Sequence, residues 1–571
     1  MIGPTPSPTP PPAALVRLAP RVRLADWRTV VLLAVLLYLP WNGQRDLWFP
    51  DEPDVAEPAM SMVESGDWVV PRRNGEPWLD YPPLTYWLGA ASSSLLRGAS
   101  PFALRLPVAL LAVLVVALTG YATECLAGRE AGVWASVSLA TAPHFLYQAV
   151  SFHPDMAFAT LISAGLAAYA WGVERRQGWR SGALRAAGFA CFGGAVLAKG
   201  ILGLLLPGLL LVVWHLTRRQ WRALLWMAPL TLVALAVALP WYLALAAKTS
   251  TELVGHEVYL QNFARFTDAN RGHGEAWHYY LTRIWPDWGP WSLLLPGALV
   301  TAWRRDWDAP LPRLALLSFV VSLLFFSLAA TKREVYLLPV YPAIAFLVGR
   351  HAALAAERPG RTGYRWVRVG LGAAALLAGG VALAAALLDL PSALPATGRA
   401  AAALDGSLAA PLIVLGVALA AGGLVLLLGA RDGLTPSLVT RGTAVLFVVY
   451  LVALSSLAPR MDEAKSYREA AVWLRRQAGP HPIGFYLPGA HRKYAGIRVN
   501  DPAYLLLELL ATPRDAALYL RRPESVLLLR TDRSEEVARL SPEWVELPKH
   551  PLSLSGTAFL AVGPRPGTPP S

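Results

Sequence analysis

The sequence predicts a polytopic α-helical membrane protein of about thirteen transmembrane helices, followed by a small α/β domain. Three observations carry this. Of 571 residues, 55% are hydrophobic and only 16% charged, with a mean hydropathy of +0.41, far above ordinary globular usage. Runs such as 106–123 and 409–430 hold no charge over the length that roughly 30 Å of hydrocarbon requires. The charges gather instead in short loops between apolar runs, in two long loops and in a polar C-terminal stretch. Collagen, coiled coil, disordered tail and disulfide-stapled secreted domain are excluded.

Taken in order, residues 1–28 read as a cytoplasmic tail: Met1–Pro12 is rich in Pro, Ser and Thr and lacks the pattern of a cleaved signal. Arg17, Arg21, Arg23 and Arg28 precede the first apolar run and set its start inside. The membrane unit, 29–458, follows with apolar runs near 29–45, 101–126, 131–150, 156–173, 184–198, 201–216, 223–245, 289–302, 314–331, 335–349, 367–388, 409–430 and 442–458. Threaded in turn, these runs leave Arg175, Arg176 and Arg180, then Arg218, Arg219 and Arg222, then Arg304 and Arg305, then Arg350, Arg358 and Arg361 all on one side. That side is cytoplasmic by the positive-inside bias. The threading requires Pro82–Leu96, with proline at its start, to be a re-entrant or interfacial helix.

The opposite side receives the first outer loop, 46–82, which is crowded with acids, and the second outer loop, 246–288, rich in Trp, Tyr, His and Asn. Long loops in a polytopic chain are commonly functional. Residues 459–571 read as an extracytoplasmic α/β domain. Its short apolar runs at Ile483–Leu487, Ser525–Leu529 and Ala558–Val562 suggest strands, and Glu463–Gln477 and Ala503–Leu510 suggest helices. The cysteines, Cys125 and Cys191, lie in or beside apolar segments, so neither a disulfide framework nor Cys-ligated zinc is expected. The net charge of +13 comes from arginines dispersed among loops, which points to membrane lipid as partner and away from nucleic acid.

Asp51 and Glu52, just past the outer end of the first span, are the leading candidates for chemistry. Adjacent carboxylates can divide labour, one accepting a proton and the other orienting the acceptor. A solvated acidic loop is the plain alternative.

The stretch Pro50-Asp51-Glu52-Pro53, Glu64-Ser65-Gly66-Asp67-Trp68 and Asn74-Gly75-Glu76-Pro77-Trp78-Leu79-Asp80-Tyr81-Pro82-Pro83 resembles the first outer loop of the bacterial aminoarabinose transferases and their protein O-mannosyltransferase-like relatives. These are GT-C glycosyltransferases of family 83. Arg105-Leu106-Pro107 and Ala198-Lys199-Gly200 look like later signatures of the same family. The match is dense over about 29–215 and looser to about 350. It implies a GT-C fold in the bacterial cytoplasmic membrane. Its outer face would take a sugar from a polyprenyl-phosphate donor and pass it, with inversion, to a lipid A-like glycolipid, another glycan or a protein.

The resemblance also implies an aspartate near the donor, which Asp155 matches, and a Tyr-x-x-Pro segment by the donor phosphate, which Tyr336 matches. Asp155 reads alternatively as a helix cap. The family's basic residue two after Asp-Glu and its lysine before Pro-Pro are replaced here by Asp54 and Tyr81. The cations that compensate a leaving phosphate must therefore come from elsewhere. Arg265 and Arg333 are first choices because a guanidinium grips phosphate bidentately, with Lys199 and Lys332 as point charges.

No cofactor is required by the pattern. His256, His273 and His278 with Asp80 are candidates for a divalent metal, although no ligand spacing is diagnostic and interfacial histidines among aromatics are the alternative. The rival class is a transporter or flippase of a lipid-linked sugar, which tends to show paired halves and ionisable groups at the membrane midplane.

Overall fold

The computed structural model describes residues 26–48, 51–175, 178–259, 275–356, 362–388, 409–428, 436–479, 481–486, 507–510, 512–522, 525–540, 544–547, 552–554 and 557–564. The protein is a polytopic helical membrane protein. Each of the thirteen apolar runs carries helix, and among the described residues eight helices are long and apolar enough to cross a membrane. Trp27–Tyr38, Leu202–Thr217 and Ala444–Arg460 are shorter apolar helices. In chain order the first helices are α1 (Trp27–Tyr38), α2 (Asp51–Ser65), α3 (Leu84–Leu95), α4 (Pro101–Ala127), α5 (Arg129–Ala140), α6 (Pro143–Ala149), α7 (Pro154–Glu174), α8 (Trp179–Lys199), α9 (Leu202–Thr217) and α10 (Trp221–Lys248).

The apolar run at 131–150 is broken between α5 and α6 at Thr141-Ala142, ahead of Pro143. A break inside a bundle must have its freed polar groups satisfied by neighbouring helices. Here the Tyr38 hydroxyl donates to the Ala140 carbonyl at 2.7 Å, Trp291 Nε1 to Thr141 Oγ1 at 2.9 Å and the Tyr450 hydroxyl to the Thr141 carbonyl at 2.7 Å.

Among its described residues, the loop at 46–82, expected to lie outside, is largely ordered secondary structure. Asp51, Glu52 and Asp54 occupy the first turn of α2, where negative charge complements the helix dipole. A two-residue hairpin then pairs β1 (Arg72–Arg73) with β2 (Glu76–Pro77). Its turn, Asn74-Gly75, has positive φ at both positions, 51° and 83°, the geometry that favours this dipeptide. Arg73 docks the hairpin on α2 through Asp54 at 3.2 Å and stacks over Trp78, while the Asn74 N–H donates to Glu57 at 2.8 Å. Helix α3, expected to be re-entrant, has 12 residues, no more than α1, but unlike α1 it is neither one of the eight long apolar helices nor one of the three shorter ones. It buries Thr85, Tyr86, Gly89, Ala90 and Ser93 against its neighbours.

The C-terminal residues form a six-stranded sheet of order β4-β3-β5-β8-β6, with β7 added on β8. The strands are β3 (Ile483–Tyr486), β4 (Leu507–Leu510), β5 (Val526–Arg530), β6 (Trp544–Glu546), β7 (Leu552–Leu554) and β8 (Thr557–Pro564). β3 lies parallel to β4 and β5, and β8 is antiparallel to its partners. Alternation along β5 divides the core: Val526 and Leu528 pack with Ala471 and Leu474 of the helix Arg468–Ala478, whereas Leu527 and Leu529 pack with Ala516 and Tyr519. The expected strands at 483–487, 525–529 and 558–562 are present. Of the helix expected at 503–510, Leu507–Leu510 forms an edge strand instead, since so short an apolar run reads equally well with either period; the remainder lies outside the described residues.

One side chain organises the junction of these parts, and it corrects an expectation. Glu52, proposed as the chemical partner of Asp51, is 2% exposed and has both oxygens engaged. It takes Arg45 at 2.6 Å and Arg105 at 2.7 and 2.8 Å. It also accepts the backbone N–H groups of Trp48 at 2.9 Å and Phe152 at 2.9 Å. Arg105, wholly buried, spends its remaining donors on the carbonyls of Asn42, Arg45 and Asp46. A carboxylate so enclosed cannot exchange protons with a substrate; it is structural. Burial alone would raise its pKa, but Arg105 and Arg45 reverse this and hold the carboxyl well below the usual range.

Removing one partner of such a group strands buried charge. Glu52→Ala is therefore expected to cost about 3–5 kcal/mol, read as a lowered apparent melting temperature of the detergent-solubilised protein. The stability Glu52 contributes is present above an unfolded glutamate's pKa of about 4.3 and is lost as pH falls through its lower folded value. Wild type should accordingly lose more stability than Glu52→Gln on acidification below about pH 4.

Candidate active site at one end of the helical bundle

Four helix ends converge beside the first outer loop. α2 presents Asp51 from its first residue. α7 presents Asp155 from its first turn, behind Pro154 at a position that suits proline. α8 ends on Lys199, a cation in the last turn where the helix dipole favours it, and Gly200, at φ +72°, stops the helix. The fourth is a 3-10 helix, Glu334–Val340, that follows Thr331-Lys332-Arg333 and carries Tyr336.

Arg333 Nη2 donates to Asp51 Oδ2 at 2.8 Å. Lys199 donates to Asp155, and its ammonium also lies over the ring of Tyr336 at 4.8 Å from the centroid. The two pairs belong to one cluster, because Arg333 lies within electrostatic reach of Asp155 as well as of Asp51. Burial opposes its charge, yet these neighbours leave its pKa above the ordinary arginine value. Access separates the adjacent acids: the Asp51 side chain is 39% exposed, against 2% for Glu52. The site therefore offers one reachable carboxylate, one reachable guanidinium, a second buried ion pair and two tyrosines.

The turn that holds Arg333 is fixed from beneath. The hydroxyl of Tyr280 donates to the Arg333 carbonyl at 3.2 Å, and that of Tyr279 to Glu334 at 3.2 Å. Lys332, expected as a phosphate contact, is instead buried, its ammonium donating to the carbonyls of Ala329 at 2.7 Å and Glu275 at 2.9 Å. Adjacent residues in an extended segment point to opposite sides, so only Arg333 of the two reaches the cluster.

Asp51, Asp155, Lys199, Arg333 and Tyr336 are thus brought together; Glu52 and Lys332 serve as supports. Arg265, and the side chains of His256 and His273, lie outside the described residues. His278 is exposed, and among the described residues no group of three or more His, Cys, Asp or Glu side chains assembles to hold a metal. Sequence reasoning missed Tyr81, Tyr279 and Tyr280 as parts of the site. Tyr81 was visible as a position where a cation was expected, whereas the other two sit in an aromatic loop with nothing to mark them.

Residues 28–252 match the family model for dolichyl-phosphate-mannose-protein mannosyltransferase. The chain is 31% identical over 336 residues to the undecaprenyl phosphate-alpha-4-amino-4-deoxy-L-arabinose arabinosyl transferase of Edwardsiella ictaluri, with 57% of this chain and 59% of that protein covered. It is 30% identical over 356 residues to the corresponding transferase 2 of Proteus mirabilis, with coverages of 61% and 64%. The chain thus spans about three fifths of the length of these curated relatives. Among solved structures, ArnT from Cupriavidus metallidurans bound to undecaprenyl phosphate superposes with a TM-score of 0.75 over 94% of this chain and 97% of that one, at 20% identity. The Archaeoglobus fulgidus oligosaccharyltransferase gives 0.52 over 91% and 72%, at 13% identity. In sequence and in fold, the chain resembles the bacterial GT-C glycosyltransferases typified by ArnT.

Proposed function

We propose that the protein transfers a sugar from a polyprenyl-phosphate donor to an acceptor at the outer face of the cytoplasmic membrane. The observation that carries this is the pairing of an accessible carboxylate, Asp51, with an accessible guanidinium, Arg333, beside the Asp155–Lys199 pair. The curated relatives named for an undecaprenyl-phosphate aminosugar and the ArnT structure that holds undecaprenyl phosphate motivate the donor class. A glycolipid of the lipid A type is the first acceptor to test.

In this reading the acceptor oxygen attacks the anomeric carbon opposite the phosphate, so one C–O bond forms as the bond to the phosphate oxygen breaks. The configuration inverts. Asp51 orients an acceptor hydroxyl and takes its proton; an acceptor that is already a phosphate needs only the orientation. The departing polyprenyl phosphate is an anion, and Arg333, assisted by Lys199, neutralises it. Without donor, Arg333 is occupied by Asp51. Donor phosphate competes for the guanidinium and frees the carboxylate as the acceptor must be met. Tyr336 backs Lys199 through its ring face.

The threading of thirteen spans, with the sheet domain and this site outside, completes the proposal. It is supported by the clustering of Asp51, Asp155, Lys199 and Arg333 at one end of the bundle and of Arg218–Glu174, Arg313–Asp308 and Arg350–Asp306 pairs among the loops assigned to the other. Single cysteines at Gly66 and Gln477 should react with an impermeant thiol reagent on spheroplasts, and one at Gly178 should not; the reverse pattern would place the site in the cytoplasm.

Asp51→Asn keeps size and loses charge, and is expected to lower turnover by at least ~10²-fold with the protein still folded. Arg333→Ala should raise the donor KM by about 10- to 100-fold, the scale of one hydrogen bond to a charged group. Near-wild-type kinetics for radiolabelled transfer in both variants would leave the reading without a chemical centre. Lys332→Met, by contrast, should lower the melting temperature and leave the donor KM within about twofold, since its ammonium is committed to backbone carbonyls.

A further inference from the structure

The sheet domain is joined to the last membrane helix by residues 461–467, and this joint is bonded to the first outer loop. The Asp462 carboxylate accepts the Asp46 N–H at 3.2 and 3.1 Å and Trp48 Nε1 at 2.7 Å. In return the Asp46 carboxylate accepts the Ser466 hydroxyl at 2.8 Å and Arg468 Nη1 at 3.0 Å. Lys465 lies over the Trp48 ring at 4.7 Å and Arg45 at 4.3 Å. Two carboxylates are thus exchanged, each held by donors of the other segment.

The same two loop residues face inward to the Glu52 node. The Asp46 carbonyl accepts Arg105 Nη2 at 2.6 Å, and the Trp48 N–H donates to Glu52 at 2.9 Å. Glu52 is the immediate neighbour of Asp51. A joint that served only to attach a domain had the whole outer surface to land on. This one lands on Trp48, one hydrogen bond from the carboxylate beside the reactive one, and on Asp46, whose carbonyl is bonded to the Arg105 that holds that carboxylate.

We propose that this clasp positions Asp51: Asp462 holds Asp46 and Trp48, these hold the Arg105–Glu52 node, and the first turn of α2 is set by the sheet domain as well as by the membrane helices. Asp462 is a positioning residue, since it acts through Trp48 and touches no reacting atom. The C-terminal domain is then part of the catalytic apparatus. The inference rests on the reading of Asp51 given above.

Hydrogen exchange of residues 45–56 and steady-state transfer, both on the full chain in lipid nanodiscs, test it with Asp462→Ala, Asp462→Asn and Arg522→Ala. Arg522 pairs with Glu508 inside the sheet domain and serves as control. Asp462→Ala is expected to speed exchange over 45–56 about tenfold or more and to lower kcat about tenfold with the donor KM within about twofold. Asp462→Asn, which keeps an acceptor oxygen for Trp48 Nε1, should recover most of both, and Arg522→Ala should alter neither. Trp48→Phe removes the same bond from the other side, so adding it to Asp462→Ala should cost little more.

Unchanged exchange over 45–56, or raised exchange with unaltered kcat, or a raised KM with unaltered kcat, overturns the positioning role. If wild type transfers nothing from any polyprenyl-phosphate donor, the reading of Asp51 has failed, and the exchange arm alone decides whether the clasp orders that segment.

Discussion

A single buried carboxylate, Glu52, fixes the end of the bundle that carries the candidate site. It lies where three lengths of chain meet: the turns after the first helix with Arg45, the α4 helix with Arg105, and the turn before α7 with the Phe152 amide. Neither guanidinium is tolerable there alone, and the carboxylate is not tolerable without them. Once all three are present, the carbonyls of Asn42, Arg45 and Asp46 are all bound to Arg105. Asp51, next in sequence, is thereby held through its neighbour, and its own carboxylate is left to Arg333.

Two adjacent acids thus take opposite parts for a geometrical reason. Successive residues in the first turn of a helix point about 100° apart, so Glu52 turns into the bundle when Asp51 turns out. A pair that looks symmetrical in sequence divides into a buried support and an accessible carboxylate. The adjacent cations Lys332 and Arg333 divide the same way, one bonded to backbone carbonyls and the other to Asp51.

Much of the fold was legible because the membrane enforces simple rules. Apolar length located the helices, loop arginines suggested an orientation, and a short serine-bearing segment with prolines at its start was set apart from the expected spans; its helix α3 is not among the apolar helices counted in the bundle. The site was legible in its charged members, since Asp51, Asp155, Lys199 and Arg333 stood at helix ends facing one side. What could not be read was commitment: nothing in the sequence says that Glu52 is enclosed by arginines 7 and 53 residues away. Nor does it say that Tyr280 supports the turn bearing Arg333. Those facts depend on contacts between distant segments. In the sheet domain, a four-residue apolar strand at 507–510 carries no period long enough to distinguish it from helix.

The break at Thr141 has a consequence for how the chain is made. Its side chain takes a bond from Trp291 and its carbonyl one from Tyr450, residues that leave the ribosome about 150 and 309 positions later. Until then these polar groups stand without those donors inside a half-built bundle, where water or the translocation machinery must serve in their place. Insertion of the last apolar helix therefore does more than add a helix. It closes an interior defect left open by the fifth helix, so a nascent chain stopped short of Tyr450 should be recognisable to membrane quality control as unfinished, however many of its earlier helices are already in place.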